Sequence, residues 1–452
     1  MGAMNGMRPA GGIDGSGADG SGGIGPDVIL KAAESFGSPV YLYDERALAE
    51  ACGAVLSMPN AFGLSVRYAM KANPNRTLLK LICGLGLSID ASSLNEARRA
   101  NMAGMGFERI MLTTQEAPEG DEMRALEEMM RRGLKYNVCS LRQLYNITDF
   151  AAENGIGLSM RVHPGIGSGE SVTRNTGDDY SCFGVHLSDI EKALDFARGK
   201  GLRFDCVHTH IGSGGDPAAW RSNVDLELKI AGEYFPEAET VNFGGGLKVA
   251  RMPDEKAADI QALGEYARGR VEDFYRRTGR KLRTEIEPGT YIAANAGYLI
   301  LRVTDKKRTG ADGYNFIILN GGMELNTRPL LYGSRHPFYI VSKSGELKFS
   351  EFGGGTAGSR DTAYEAAVVG RCCESGDSQS LAPDGRLVPR ALPEPDIGDL
   401  FVVGGTGAYC SAMSLVNYNS HVQAPEVLYT RGGELIEIRR RQTLEQLTAN
   451  EL

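Results

Sequence analysis

Ser-Val-Arg-Tyr-Ala-Met-Lys-Ala-Asn, residues 65–73, joins a short apolar segment to a lysine. Its β-favouring composition predicts a buried strand over residues 65–70, which the following Ala-Asn-Pro segment ends. Lys71 then stands at the end of a buried strand, where partial desolvation would lower its pKa and make a neutral, nucleophilic amine available. The alternative is a lysine that extends its charged head into water and has no chemical role. The rest of the chain decides between these two interpretations.

Segments of the same kind recur along the chain. Apolar strand candidates end near Met70, Ile89, Leu112, Val138, Val162, Thr209, Phe243 and Ile286, and helical stretches lie at 75–84, 93–104, 119–132, 140–153, 188–200, 217–234 and 255–278. Strands that alternate with helices indicate a parallel sheet, most simply closed as a (β/α)8 barrel over residues 45–300. A doubly wound open sheet is the alternative, although it would not need the eighth unit.

Parallel barrels carry their chemistry at the carboxyl ends of the strands. The candidate functional residues of this half of the chain all fall at such positions: Lys71, Asp90, Arg161, His210, Gly244, Gly245, Gly246 and Glu287. We therefore expect them to share the mouth of the barrel.

The two ends of the chain depart from this pattern. Residues 1–25 are rich in Gly, Ser and Asp and are expected to form a disordered tail, and residues 26–36 predict a helix. After residue 300, short strands predicted at 314–320, 337–342, 346–351 and 399–403 indicate an all-β domain over 301–452, with a long loop at 374–397. Residues 26–44 precede the barrel, so a strand at 38–43 is expected to join this β-rich domain.

Composition narrows the class of protein. The net charge of −8 over 452 residues, without a long basic run, argues against nucleic acid or an anionic membrane as the main partner. No run of about eighteen apolar residues predicts a membrane span, and the N-terminus lacks the apolar core of a signal peptide. The eight scattered cysteines are expected to be reduced thiols of a cytoplasmic protein.

Two segments at the last barrel strands suggest how a ligand is held. Asn-Phe-Gly-Gly-Gly at 242–246 follows the seventh strand, where consecutive backbone N–H groups of a glycine loop can bind a phosphate. The eighth strand ends in Glu-Ile-Glu-Pro-Gly at 285–289, and strand alternation puts both glutamates on one face. A carboxylate inside a barrel mouth needs a cationic partner, either a protonated pyridine nitrogen or a neighbouring arginine.

The segment Cys-Val-His-Thr-His at 206–210 allows a rival interpretation, a metal-dependent hydrolase. Residues 206, 208 and 210 share one face, and His-x-His can ligate a metal, but the other ligands are scarce: of the six histidines only His163 is expected nearby. The other interpretation is that His210 lies flat against an aromatic cofactor while Ser213 donates to phosphate. A lysine, a phosphate cradle and a buried carboxylate together suggest pyridoxal phosphate.

The sequence resembles the fold-type III, alanine-racemase-like decarboxylases and, within them, the diaminopimelate decarboxylases. The matching segments run in family order over roughly residues 38–430: Tyr68-Ala-Met-Lys71-Ala-Asn73, Ile89-Asp90-Ala-Ser92, His210-Ile-Gly-Ser213, Gly244-Gly-Gly246, Glu287-Pro-Gly289, Arg328-Pro-Leu-Leu-Tyr332-Gly, Cys373-Glu374-Ser-Gly-Asp377 and Gly407-Ala-Tyr409. The resemblance implies a barrel plus β domain and a head-to-tail homodimer whose active sites are shared between the subunits.

The resemblance also implies a role for each matching residue. Lys71 would hold the cofactor aldehyde as a Schiff base, His210 would stack on the ring, and Glu287 would face the pyridine nitrogen. The other cofactor contacts would come from Asp90, Arg161, Ser213, Gly244, Gly245, Gly246, Gly289 and Tyr409, and the substrate contacts from Arg328, Tyr332, Glu374 and Tyr409. Cys373 of the partner subunit would donate the proton that replaces carbon dioxide, a role that only its Cys-Glu-Ser-Gly-Asp context supports, because an isolated cysteine is more often a small buried apolar residue.

Two departures from the family affect the choice of substrate. The family arginine after Glu-Pro-Gly is Thr290 here, and the loop 164–183 is charged: Arg174 could supply the missing positive charge, or Asp178 and Asp179 could meet an amine. The expected reaction is decarboxylation of a small amino acid, meso-diaminopimelate to L-lysine by family default. D-Ornithine or D-lysine as substrate, a racemase on the same scaffold and a non-catalytic pyridoxal phosphate protein remain open, and no metal is expected.

Overall fold

The structure is a computed structural model that describes residue 13 and residues 24–168, 176–178, 181–212, 216–353, 355 and 364–452. The chain divides into two compact units. The barrel unit comprises Glu50–Lys248 and Ala258–Ile292, and the β unit comprises Met1–Ala49, Val249–Ala257 and Ala293–Leu452. Residues 249–257 fall within the range predicted for the barrel and are grouped with the β unit.

The described strands, in chain order, are β1 (Val40–Asp44), β2 (Leu64–Ala69), β3 (Ser88–Ala91), β4 (Ile110–Leu112), β5 (Lys135–Val138), β6 (Leu158–His163), β7 (Val185–His186), β8 (Phe204–His208), β9 (Thr240–Asn242), β10 (Arg283–Ile286), β11 (Gly297–Arg308), β12 (Asn315–Leu319), β13 (Phe338–Val341), β14 (Leu347–Ser350), β15 (Tyr364–Val369), β16 (Arg390–Leu392), β17 (Leu400–Gly404), β18 (Glu426–Tyr429) and β19 (Leu435–Arg439).

The described α-helices are α1 (Pro26–Phe36), α2 (Glu45–Leu56), α3 (Arg76–Gly84), α4 (Leu94–Met102), α5 (Gly120–Arg131), α6 (Leu141–Glu153), α7 (Ile190–Gly199), α8 (Pro217–Glu233), α9 (Ile260–Thr278), α10 (Thr290–Ala293), α11 (Arg328–Tyr332) and α12 (Leu444–Leu447). None of these described helices combines the length and the hydropathy that crossing a bilayer requires.

The barrel unit is built on a closed parallel sheet. Strands β5, β4, β3, β2, β10, β9, β8 and β6 are neighbours in that order, and a further pairing of β5 with β6 closes the ring. The short strand β7 pairs with the free part of β6. The predicted (β/α)8 barrel is therefore confirmed, and each of its strands ends within two residues of the predicted position.

Side-chain caps explain why the helices of this unit begin where they do. Asn75 accepts a hydrogen bond from the N–H of Thr77 at the start of α3, and Ser93 accepts one from the N–H of Glu96 at the start of α4. A side-chain oxygen at this position satisfies an N–H group that the first helical turn leaves unpaired. These caps lie just after β2 and β3, so they fix the short loops at the carboxyl ends of the strands.

The β unit joins the two ends of the sequence in one sheet. Its main path runs β14-β13-β17-β11-β1-β18-β19, and β12, β15 and β16 extend it from β11. β1 lies between β11, to which it is antiparallel, and β18, to which it is parallel, so the prediction that the strand near residues 38–43 joins the β domain is confirmed. β11 begins at Gly297, before the domain boundary predicted at residue 300. Its first five residues are buried, so in the sequence they resemble a barrel strand.

The N-terminal segment 1–25, predicted to be disordered, lies outside the described residues except at positions 13, 24 and 25. Ile13 and Ile24 are buried in the core of the β unit, together with Ile29 of α1 and Tyr339 of β13. Burial of these isoleucines attaches two points of the segment to the sheet.

Candidate active site

Lys71 lies two residues beyond the end of its barrel strand. β2 ends at Ala69, and Met70–Ala72 leave the sheet as a short 3-10 turn. The Lys71 side chain is exposed in the single chain, so the partial desolvation expected at the strand end is not found there. The turn is the physical reason, since it carries the lysine out of the buried sheet. The strand end itself is fixed to the last barrel strand by a hydrogen bond from the N–H of Ala69 to the carbonyl of Pro288 (3.3 Å).

The last barrel strand introduces two buried carboxylates with different partners. Glu285 is held by Arg67, whose Nε and Nη2 each lie 2.7 Å from a carboxylate oxygen, so the arginine that was considered as an alternative is present here. Glu287 faces two other groups: Asn242 Nδ2 lies 2.7 Å from its Oε1, and His208 Nε2 lies 3.3 Å from its Oε2. The sequence placed both glutamates on one face, and the structure distinguishes them.

Both carboxylates are ionised at neutral pH. Burial would raise the pKa of Glu285, but Arg67 more than offsets it and holds that pKa below the usual range. Burial would likewise raise the pKa of Glu287, and its interactions with His208, followed by those with His210 and Lys71, hold it well below the usual value. A negative charge therefore persists inside the barrel at Glu287, where a protonated ring nitrogen is predicted to lie.

His208 and His210 share a strand end but serve different contacts. His208 is buried, and its Nδ1 lies 2.6 Å from Asn137 Nδ2. Nδ1 of His210 accepts a hydrogen bond from the N–H of Gly245 (3.0 Å). Burial, followed by the charge of Arg161, holds the pKa of His210 well below its usual value, so this imidazole is neutral at pH 7. A neutral ring fixed along one edge suits stacking against an aromatic cofactor.

The rival metal site was predicted from His208, His210 and His163. His163 Nε2 lies 3.0 Å from the carbonyl oxygen of Asp178, and the rings of His208 and His210 are 6.5 Å apart. Within the described part of the chain, the group of three candidate ligands that approach one another closely enough for one ion is a different one, Glu324, Cys372 and Asp377 of the β unit. The histidines thus engage separate protein groups.

The glycine loop packs tightly between two strand ends. Gly244 has a φ of 65°, and a Cβ on it would lie 2.5 Å from the carbonyl oxygen of Thr209. A Cβ on Gly245 would lie 2.8 Å from the carbonyl oxygen of Glu287, so both positions require glycine. The N–H of Gly244 donates to Asn242 Oδ1 (3.0 Å) and that of Gly245 to His210. Two of the three N–H groups expected to bind a phosphate therefore already donate hydrogen bonds to side chains of the site. Phosphate binding by the loop stays a prediction.

Two further predicted residues, at the ends of β3 and β6, are buried with unsatisfied atoms. Asp90 Oδ1 and Arg161 Nη2 have no hydrogen-bond partner among the described residues. Burial and, next, the charge of Glu287 raise the pKa of Asp90 well above its usual value, against the effect of Lys71. Buried polar atoms without partners are costly, so these atoms fit a site that is completed by a bound polar group such as a pyridoxal phosphate.

Glu227 of α8 is a site residue that the sequence analysis missed. It is fully buried, accepts a hydrogen bond from the hydroxyl of Thr209 (2.6 Å) and another from the N–H of Asn242 (2.7 Å). It thereby joins the carboxyl ends of β8 and β9. Burial raises its pKa well above the usual value. A signal was available: Glu227 falls on the helical face of Trp220, Val224 and Leu228, where a carboxylate interrupts an apolar stripe.

The remaining predicted residues lie in the β unit. Cys373 is exposed, and its N–H donates to Asn419 Oδ1 (2.8 Å). Glu374 is exposed as well, and the hydroxyl of Tyr418 lies 3.4 Å from its Oε2. The preceding thiol differs: Cys372 Sγ donates to Glu324 Oε2 (3.4 Å), and burial together with that carboxylate raises the pKa of Cys372. Of the two adjacent thiols, Cys373 is the accessible one.

Asp377 explains how the Cys373 loop keeps its shape. Its Oδ1 accepts a hydrogen bond from the N–H of Met323 (2.6 Å), and its Oδ2 accepts one from the N–H of Cys372 (2.7 Å). This buried carboxylate therefore organises the turn from within, which gives the last residue of the Cys-Glu-Ser-Gly-Asp segment a structural role.

The three other β-unit residues have distinct environments. Arg328, at the start of α11, is only 1% exposed, its Nη2 donates to Ser334 Oγ (3.2 Å), and its guanidinium carbon lies 5.7 Å from the ring centroid of Tyr332. Tyr409 has a φ of 58°, unusual for an aromatic residue. Strained backbone at a bulky side chain is concentrated at functional sites, which fits the role predicted for Tyr409.

Part of the predicted site cannot be placed. Ser213, Arg174 and Asp179 lie outside the described residues. Gly289 and Thr290, the residue that replaces the family arginine, are both buried after the end of β10.

Comparison with known proteins places this chain among pyridoxal-dependent decarboxylases. Residues 50–294 match the family model described as "Pyridoxal-dependent decarboxylase, pyridoxal binding domain". The diaminopimelate decarboxylase of Escherichia coli strain K12 is 31% identical over 424 residues, which cover 94% of this chain and 96% of that protein.

Solved structures resemble the whole chain. One crystal structure of a diaminopimelate decarboxylase has a TM-score of 0.84 at 31% identity and covers 95% of this chain and 97% of its own. Another, the Helicobacter pylori diaminopimelate decarboxylase complexed with L-lysine, has a TM-score of 0.76 at 25% identity, covering 93% of this chain and 98% of its own.

Proposed function

This chain belongs to the pyridoxal-dependent decarboxylase family, and from that premise we propose that it converts meso-diaminopimelate to L-lysine and carbon dioxide. One observation supports the proposal above the others: Lys71 and the ionised Glu287 follow neighbouring barrel strands, β2 and β10. A primary amine beside an anion that can pair with a ring nitrogen is what a pyridoxal phosphate site requires.

The residues of the barrel unit fit the cofactor. Lys71 would bind its aldehyde, Glu287 would pair with the ring nitrogen, His210 would stack on the ring, and Arg161 offers a buried Nη2 that lacks a partner among the described residues. We assign Ser213 and the glycines at 244–246 to the phosphate, and Asp90, Gly289 and Tyr409 to further cofactor contacts. When bound, pyridoxal phosphate supplies an electron sink for the charge left on the α-carbon after carbon dioxide departs.

We further propose that the enzyme is a cytoplasmic homodimer and that Cys373 acts from the partner subunit, delivering a proton to the α-carbon. Its exposure in the single chain and the protonated, hydrogen-bonded state of Cys372 support this division of roles. Exposed apolar side chains in the same unit, Leu330, Leu331 and Val416, offer surface for a second copy. All eight cysteines are free of disulfides, as a reducing compartment would keep them.

The substrate would be oriented by Arg328, Tyr332, Glu374 and Tyr409. Because Arg328 is 1% exposed, a substrate carboxylate would have to reach a buried guanidinium. The replacement of the family arginine by the buried Thr290 favours a second candidate, a diamino acid without the distal carboxylate such as D-ornithine or D-lysine. Threonine cannot make the paired hydrogen bonds by which arginine binds a carboxylate.

Carbon dioxide release from meso-diaminopimelate, L-lysine, D-lysine, L-ornithine and D-ornithine tests the proposal. We expect the highest kcat/KM for meso-diaminopimelate. A preference of about tenfold or more for a plain diamino acid, worth about 1.4 kcal/mol, would overturn the substrate assignment. Thr290→Arg should then shift the preference toward diaminopimelate.

The cofactor and subunit assignments have separate tests. Borohydride reduction of the pyridoxal phosphate protein should attach the label to Lys71, and a label on another lysine would reject that assignment. Mixing Lys71→Ala with Cys373→Ala subunits should restore activity if the site is shared, because each heterodimer would contain one intact site. Heterodimers that form without gaining activity would place both residues in one subunit's site.

A further inference from the structure

His208 is buried at the end of β8 and has two polar neighbours. It is 1% exposed; its Nδ1 lies 2.6 Å from Asn137 Nδ2, and its Nε2 lies 3.3 Å from Glu287 Oε2. The imidazole therefore connects strand β5, which carries Asn137, with the carboxylate that follows β10.

The surroundings of Asn137 fix the proton of this imidazole. Asn137 Oδ1 accepts a hydrogen bond from the hydroxyl of Ser159 (2.9 Å), and its amide nitrogen faces both Thr113 Oγ1 (3.2 Å) and His208. An amide N–H can only donate, so Nδ1 of His208 must accept. The proton of a neutral imidazole then stands on Nε2, the nitrogen that faces Glu287.

An uncharged donor, the amide of Asn242, approaches the other oxygen of the same carboxylate. Asn242 Nδ2 lies 2.7 Å from Glu287 Oε1, while Asn242 Oδ1 accepts the N–H of Gly244. Glu285, two residues earlier, is instead paired with the guanidinium of Arg67. The amide of Asn242 orients the carboxylate without cancelling its charge, whereas an arginine neutralises its partner. The contrast leaves the charge of Glu287 available for a cationic partner.

We infer that His208 is a positioning residue: its Nε2, which approaches Glu287 Oε2 to 3.3 Å without the geometry of a full hydrogen bond, confines the Glu287 carboxylate to the orientation that binds a protonated ring nitrogen. The inference rests on the proposed function, in which Glu287 faces the pyridine nitrogen of pyridoxal phosphate. It predicts that His208 contributes to binding of the ring nitrogen specifically, and not to binding of the phosphate or the aldehyde.

The test compares two cofactors on the full chain. Apoprotein is titrated with pyridoxal phosphate and with its analogue in which C–H replaces the ring nitrogen, and the ratio of the two dissociation constants measures how strongly the site binds the nitrogen. His208→Leu should reduce the preference for pyridoxal phosphate by about tenfold, the effect of losing one polar contact to a charged group. His208→Gln, whose amide can still donate to Glu287, should retain most of the preference.

A second variant covers the case in which His208→Leu does not fold. Asn137→Asp keeps the size of the side chain but gives Nδ1 a carboxylate partner, which favours a doubly protonated imidazolium. A cation at His208 would neutralise Glu287, so this variant should also lose preference for pyridoxal phosphate.

The possible outcomes distinguish a failure of this inference from a failure of the proposed function. If His208→Leu, or Asn137→Asp in its place, weakens binding of both cofactors by the same factor, His208 is only structural and the inference is overturned while the proposed function stands. If the wild-type chain binds neither cofactor, the proposed function fails and the inference falls with it.

Discussion

The buried ion pair between Arg67 and Glu285 allows a quantitative prediction. Both side chains are 3% exposed, and the two contacts of 2.7 Å make the pair bidentate. Removal of one partner from a buried pair costs about 3–5 kcal/mol, because the other charge is left unpaired. In Arg67→Leu, the Lys135 ammonium, 3.7 Å from the Glu285 carboxylate, would replace part of the lost interaction. We therefore expect the low end of this range, about 3 kcal/mol.

The loss should be visible as a lower midpoint of thermal unfolding. At roughly 2–4 °C per kcal/mol for a unit of this size, Arg67→Leu should lower the midpoint by about 6–12 °C at pH 7. The pH dependence has a definite sign. Arg67 lowers the pKa of Glu285 in the folded chain against the effect of burial, so the pair contributes stability above the unfolded carboxyl pKa and loses it as the pH falls through the folded pKa. The variant should therefore lose less stability than wild type on acidification.

A double-mutant cycle gives the control. Arg67→Leu together with Glu285→Leu removes both charges and leaves apolar side chains in their place, so most of the stability should return. The reasoning would be refuted if the double variant lost as much as the sum of the single variants, or if Arg67→Leu cost less than about 1 kcal/mol.

Three further variants test other contacts of the barrel. Glu227→Gln should cost less than about 1 kcal/mol of unfolding free energy and Glu227→Leu about 2–4 kcal/mol. Burial raises the pKa of Glu227 and so favours the neutral acid, and an amide can accept the N–H of Asn242 through its oxygen and donate to the Thr209 hydroxyl through its nitrogen. Equal losses in urea unfolding would contradict this. Gly244→Ala should destabilise the chain by about 1–3 kcal/mol and weaken pyridoxal phosphate binding in a fluorescence titration. The control Gly53→Ala in α2, with open space around it, should be neutral or stabilising. A tolerated Gly244→Ala would show that the loop can shift. Arg161→Met should raise the melting temperature of the apoprotein, because it removes a buried Nη2 that has no partner among the described residues. The same variant should lower the affinity for pyridoxal phosphate in the fluorescence titration. A destabilised apoprotein would show that the guanidinium already has hydrogen-bond partners.

The barrel could be predicted from sequence because its strands are short apolar runs that alternate with helical stretches. The helical stretches predicted at 75–84 and 93–104 match α3 and α4 to within two residues, and in the structure Asn75 and Ser93 cap their starts. The sheet that β11 joins was harder to predict, because its first half is buried like a barrel strand and its second half ends in charged residues. Periodicity reports burial on each side of a strand and does not report which sheet the strand joins.

The site was predictable as a set of residues, but its internal contacts were not. Residue types and strand ends indicated Lys71 and Glu287, and the structure adds that Lys71 is exposed and that Glu287 is separated in role from Glu285. Whether an arginine from another strand reaches one glutamate or the other depends on register across the sheet, which strand alternation alone does not specify. Glu227 was missed because the helical pattern shows a carboxylate on a buried face but does not show that it reaches Thr209 and Asn242 at the ends of two different strands.

The position of β1 between β11 and β18 has a consequence for how the chain is made. One neighbour of β1 is synthesised only when residues 426–429 have left the ribosome. At roughly 5–20 residues per second, the strand at 40–44 waits about 20–80 s for that partner. By the end of this interval every segment of the barrel unit has been synthesised, while β1, whose residues are all buried in the folded chain, still has one edge without its partner strand. The nascent β unit is therefore the part of this protein that a ribosome-associated chaperone would be needed to shield.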